Sequence, residues 1–123
     1  MTKAAALHSF YSSFGLTAYE ENSVPDDAEF PYITYNITTD SFGNYSTAMT
    51  FSLWYRSTSW KAINAKCEEI SAAIGLGGQL VECDGGKIWI KRGQPFANST
   101  GDADDELIKR KIINVSADYL TLN

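Results

Sequence analysis

Histidine occurs once, cysteine twice and methionine twice in 123 residues, so the side chains that most often ligate metals or serve as nucleophile and base are scarce. A zinc-type site needs several such ligands at set spacings, and neither Cys-x-x-Cys nor His-Glu-x-x-His occurs. Cys67 and Cys83 stand apart with no companions and are expected to be reduced thiols. His8 falls in a helical stretch with no serine, cysteine or carboxylate patterned as a catalytic partner. Basic residues are outnumbered, 10 Lys and Arg against 15 Asp and Glu, and a formal net charge of −5 opposes non-specific binding to nucleic acid. Long apolar runs are missing too. Nothing approaches the ~18 residues that would span a membrane, and Leu7 is followed by His8 and Ser9, which interrupts any signal-peptide core. Without a secretory signal, the glycosylation sequons at Asn36, Asn44, Asn98 and Asn114 are chance matches.

Other apparent motifs fail on mechanism. Gly75, Gly77 and Gly78 follow a helix, whereas a phosphate-cradling loop precedes one so that amides and helix dipole face the anion. The run Asp102, Asp104, Asp105, Glu106 lacks the alternating oxygens, central glycine and distant glutamate of a calcium loop. Glu68 and Glu69 are helix neighbours that point in different directions, not a converging acid–base couple. No catalytic, cofactor-binding or metal-ligating residue is assigned, and no cofactor is expected.

What is present is an ordinary globular composition, 44% apolar and 20% charged, in a length that suits one domain over residues 1–123. Leu7, Phe10, Tyr11 and Phe14 predict a helix over 3–14 stopped by Gly15, followed by a short edge strand over 16–20 and a Pro-containing loop over 21–31. Ile33, Tyr35 and Ile37 alternate with polar residues, and so do Met49, Phe51, Leu53 and Tyr55. Asp40, Ser41, Gly43 and Asn44 lie between them, so the pair predicts an antiparallel hairpin. Ser57, Thr58 and Ser59 are candidate N-caps for a second helix. Its inward stripe is Trp60, Ile63, Cys67, Ile70 and Ile74.

A second hairpin is expected around Asp84-Gly85-Gly86, then a long acidic loop over 92–106. A final strand should carry Ile113, Val115, Ala117 and Tyr119 on one face. The expected class is α+β: a mixed, mainly antiparallel sheet with two helices packed on one face. Its other face, carrying Trp54 among Thr and Ser, is either solvated or pressed against another subunit.

Charge is segregated along the chain. Glu20, Glu21, Asp26, Asp27 and Glu29 form one acidic run, and Asp102, Asp104, Asp105 and Glu106 a second. Bases gather at Lys87, Lys91 and Arg92 and at Lys109, Arg110 and Lys111. These are either solvated loops and strand edges or a polar molecule whose acidic face meets a neighbour's basic face.

In the order and spacing of its pieces the chain resembles the tail-terminator (tail-completion) proteins of long-tailed bacteriophages and prophages of Gram-positive bacteria. The pieces are Phe30-Pro31-Tyr32-Ile33-Thr34-Tyr35, Leu53-Trp54-Tyr55-Arg56-Ser57 with Trp60-Lys61-Ala62-Ile63, Gly77-Gly78, and Gly86 to Gly93 leading to Pro95-Phe96. Asp104-Asp105-Glu106 before Ile108-Lys109-Arg110, and Tyr119-Leu120, complete them. The resemblance runs from about Phe14 to Leu122 and no piece is diagnostic alone.

It implies an α+β subunit of a homo-oligomeric, hexameric ring that caps the tail tube, ends tube polymerisation and offers the head-joining surface. It implies as partners further copies of itself, the major tail tube protein and the head–tail connector. DNA would pass through without being specifically bound, no membrane would be involved, and the location would be the virion tail after assembly in the host cytoplasm. The activity would be structural, not enzymatic. The candidate subunit or tube interface is then Glu20, Glu21, Asp26, Asp27, Asp102, Asp104, Asp105, Lys91, Arg92, Lys109, Arg110 and Lys111. Alternatives are a head-completion or neck adaptor, a small cytosolic enzyme whose ligands converge only in three dimensions, and a monomeric binding module. Light scattering separates ring from monomer, and an adjacent major-tail-protein gene separates tail from neck.

Overall fold

A computed structural model describes residues 1–43 and 45–123; Asn44, expected in the first hairpin turn, lies outside the described residues. Helix α1 spans Lys3–Ser12, with Thr2 Oγ1 accepting from the Ala5 amide at 3.1 Å. It buries Ala6, Leu7, Phe10 and Tyr11, one side of the helix, as the spacing requires. It stops two residues short of Phe14, because the Ser13 amide and hydroxyl both donate to the Phe10 carbonyl, at 3.1 and 2.6 Å. Gly15, at φ +82°, then turns the chain so that Phe14 still enters the core.

Strand β1 (Thr17–Glu20) is followed by a short 3₁₀ turn at Glu21–Ser23, then β2 (Tyr32–Tyr35) and β3 (Thr47–Arg56). β1 runs parallel to β2, and β2 antiparallel to β3 with Tyr35 opposite Phe51. Helix α2 covers Lys61–Ile74 and buries Ile63, Cys67, Ile70 and Ile74, with Trp60 half-buried before it. Capping differs from the expectation. Trp60 is the flanking residue and makes no side-chain cap, whereas Ser59 Oγ accepts from the Lys61 amide at 3.0 Å and Ser57 Oγ from the Ser59 amide at 3.1 Å.

Strands β4 (Gln79–Cys83), β5 (Gly86–Gly101) and β6 (Ile108–Thr121) complete one six-stranded sheet in the order β1-β2-β3-β6-β5-β4. The expected loop over 92–106 is mostly strand. β5 pairs with β6 up to Arg92, skips, and resumes from Ala97 opposite Ile113 to Gly101 opposite Lys109. Residues 93–96 sit opposite Asn114 alone, a bulge held by Asn114 Nδ2 donating to the Pro95 carbonyl at 2.9 Å. Only 102–107 remain as a connection.

Both helices lie on the same face. Lys66 Nζ, on α2, donates to the Phe14 carbonyl at 3.1 Å, and Phe10, Tyr11 and Phe14 pack on Phe51. Met49, Phe51, Leu53, Ile88, Ile90, Ile113, Val115, Ala117 and Tyr119 supply the sheet side of this single core. Each fully buried isoleucine there contributes ~1.5–3 kcal/mol relative to exposure. Burial pushes the Tyr119 hydroxyl up to about 12, and that hydroxyl donates to the Thr38 carbonyl at 2.5 Å. Tyr11 is also raised by burial, and its hydroxyl is the one buried side-chain polar atom without a partner among the described residues.

Candidate functional site

The period-2 pleat that sends these residues inward sends their neighbours to a sheet face that no helix covers. At the end where β3 finishes, that face carries an aromatic row. Tyr32 pairs across with Trp54 and Trp54 with Arg110. Trp54 Nε1 donates to Thr34 Oγ1 at 2.8 Å. The Arg110 guanidinium lies 4.6 Å from the Trp54 ring centre, and its Nε donates to Ser52 Oγ at 3.1 Å. Tyr19 and Phe30 flank Tyr32 at 5.8 and 5.1 Å between ring centres.

The opposite end is more apolar. Trp89 lies between Leu80 on β4 and Asp118 on β6, and Lys87 sits opposite Leu120. Leu80 and Leu120 are 55% and 42% exposed, high enough to leave an apolar surface in water. Lys91 stacks over Trp89 at 4.5 Å and binds Asp118 at 2.8 Å. That bond, with a second from Ser46, holds the Asp118 carboxyl below the usual carboxylate range. Between the two ends runs a shallow groove of about 580 Å³, lined by Asn36, Thr50, Asn98, Asn114, Ser116 and the β5 bulge, with no charged side chain.

The predicted interface residues divide sharply. Glu20, Glu21, Asp26, Asp27, Asp102 and Asp104 are exposed and make no ion pair among the described residues. Asp105 is half-buried and contacts Arg56 at 3.4 Å. The bases are used within the molecule. Lys91 is held by Asp118, and Arg92 Nη1 donates to Ser71 Oγ on α2 at 3.0 Å.

The expectation that Lys109, Arg110 and Lys111 form an exposed basic cluster is corrected: consecutive strand residues alternate faces. Lys109 and Lys111 pair with Tyr55 and Leu53 on the helix-covered face, and only Arg110 reaches the open one. Lys109 is 9% exposed, donates to the Glu106 carbonyl and lies 5.6 Å from the Trp60 ring centre. Lys109→Glu is therefore expected to lower stability itself by ~1–3 kcal/mol, by removing the cation over Trp60 and setting a carboxylate beside a carbonyl. A urea denaturation midpoint equal to wild type would contradict this placement.

One arrangement was not visible in the sequence, because its parts come from two elements. Ser12 Oγ is 3.4 Å from His8 Nε2, and His8 Nδ1 contacts Tyr35 Oη. It has the shape of nucleophile, base and orienting group, but the tyrosine hydroxyl, raised by burial, is neutral and does not offset an imidazolium as a carboxylate does. Ser12 also closes α1, where the helix presents carbonyls, not the amides an oxyanion needs.

Among the described residues no group of three or more His, Cys, Asp or Glu is placed to hold a metal ion. Burial pushes the Cys67 thiol up, which keeps it a packing residue. Among the described residues no helix is long and apolar enough to cross a membrane. No protein-family model matches the chain, and no curated protein matches it.

Proposed function

We propose that this chain is a ring-forming structural subunit of a phage tail end, capping the tail tube and presenting the surface that joins the head. The observation that carries the proposal is the uncovered sheet face ending in two unlike edges. β1 with its aromatic row lies at one side, and β4 with exposed Leu80 and nearby Leu120 at the other. A contact between the β4 side of one copy and the β1 side of the next is heterologous, and a repeated heterologous contact makes a ring when the rotation between copies closes. Burying Leu80, Leu120 and the rim of Trp89 in that contact removes apolar surface from water. The order and spacing shared with tail-terminator proteins supports the same reading. The free acids suit a lumen through which DNA slides unbound, since like charge repels phosphate.

The test combines mass and phenotype. The purified protein should show a ring mass by light scattering. Leu80→Glu with Leu120→Glu should shift it to monomer while the thermal midpoint stays near wild type, both side chains being exposed. In a phage carrying this gene, deletion should give tails of uncontrolled length or tails that fail to join heads. Normal tails after deletion would end the assignment.

A further inference from the structure

We propose that the Tyr32–Trp54 row and the acidic residues beside it form a docking surface for an extended, arginine- and lysine-bearing segment of a different protein. The row already displays the chemistry it selects: the Arg110 guanidinium lies 4.6 Å from the Trp54 ring centre. Next along the row, the half-buried rings of Tyr32, Tyr19 and Phe30 have no cation over them among the described residues. Packed on one another and on Trp54, they add half-buried aromatic surface of the same quadrupolar kind.

Near this row stand carboxylates that make no ion pair among the described residues. Asp26, Asp27 and Glu29 lie in the run that returns to β2, whereas Glu20, opposite Tyr35 on the helix-covered face, is set apart from the row. Asp102, Asp104 and Glu106 lie in the β5–β6 connection. Register brings these two groups to one end of the sheet. The chain enters β2 at Tyr32 opposite Trp54, and β6 at Ile108 opposite Arg56, two residues further along the same strand. Like charges gathered there repel one another, and a cationic partner relieves that repulsion as it binds.

Charge also selects the occupant. Nucleic acid carries the wrong sign. A second copy of this chain has few cations to offer: Lys3, Arg56, Lys66, Lys91, Arg92, Lys109 and Arg110 are each bonded within their own molecule, which leaves Lys61, Lys87 and Lys111 among the described residues. A separate protein with an Arg/Lys-bearing strand or tail fits instead. β1 is an edge strand, so an extended segment can also pair with its outer backbone groups. The inference requires the β1 side to stay open, so a ring contact that covers Tyr32 excludes it.

Fluorescence anisotropy with a labelled peptide of alternating threonine and arginine tests it, against the same peptide with glutamine for arginine. Binding is expected at least about tenfold tighter for the arginine peptide at low salt, weakening as salt rises. Amide chemical-shift changes should centre on Tyr19, Phe30, Tyr32 and Trp54. Tyr32→Leu should weaken binding about threefold or more, and Asp27→Asn with Glu29→Gln about fivefold. The latter pair is exposed and keeps the test usable if Tyr32→Leu unfolds. Equal binding by both variants, equal binding of the glutamine peptide, or shifts centred elsewhere would overturn the proposal. So would an oligomer in which a second copy, not the peptide, covers Tyr32. Ring assembly is read separately by mass. A ring that ignores the peptide loses this inference and keeps the ring reading, and a monomer that binds it does the reverse.

Discussion

Ile70→Ala is expected to lower the free energy of unfolding by ~2–5 kcal/mol, the range for truncating a fully buried aliphatic side chain. Ile70 has no exposed surface and sits in the α2 stripe between Cys67 and Ile74. α2 packs across β3, β5 and β6, so the lost methyls leave a cavity that a sheet held by ladders on both sides closes only in part. Urea denaturation should show a lower midpoint with an unchanged slope. An unshifted midpoint would mean that the helix does not bear on the sheet. The exposed neighbour Ala72 faces water, and substituting it should change stability by no more than ~0.5 kcal/mol.

Gly86→Ala is expected to cost about 3 kcal/mol or more, from backbone strain and overpacking together. Gly86 opens β5 directly after the Asp84-Gly85 turn and is bracketed by strands, opposite Cys83 on β4 and Thr121 on β6. A Cβ there would stand 2.0 Å from the Leu120 carbonyl oxygen, and the backbone sits at φ +154°. Backbone cannot yield as a side-chain tip does, so the strand would have to shift and the β4–β5–β6 ladder with it. Gly77→Ala is the matched control, since a Cβ there meets nothing within 4 Å. Thermal denaturation should separate the two variants clearly. Equal midpoints would show that β5 and β6 approach less closely than described.

The parts of the fold that could be read in the sequence are those where one periodicity dominates. The α2 stripe and the alternation through Met49, Phe51 and Leu53 each point to one buried face, and both faces are buried. The second half of β5 was hidden because Gly93, Pro95, Asn98, Ser99 and Gly101 are turn formers, each read locally as loop. Their strand character comes from a partner, β6, which lies beyond the next connection.

The candidate surface was legible only as charge. Apart from Asp105, which contacts Arg56, the predicted interface acids make no ion pair among the described residues. Lys109, Arg110 and Lys111 are one cluster in sequence but not on a surface, because a strand sends consecutive residues to opposite faces. The row from Tyr19 and Phe30 through Tyr32 and Trp54 to Arg110 was missed because it joins residues from separate stretches of chain. Alternation of Tyr32 and Trp54 against the buried positions was the available signal.

β6 is made after every other described strand yet lies between β3 and β5, so it supplies the strand pairing that joins two half-sheets. While the chain is being synthesised, β1-β2-β3 and β4-β5 precede the segment that unites them, each half ending in an unpaired edge. The core side chains of β6, Ile113, Val115, Ala117 and Tyr119, arrive together with that pairing. Sheet closure on the ribosome therefore waits for a late pairing between distant parts of the chain. A nascent chain stalled before Ile108 would display two sticky strand edges at once, the form most prone to pair with its neighbours on a crowded message.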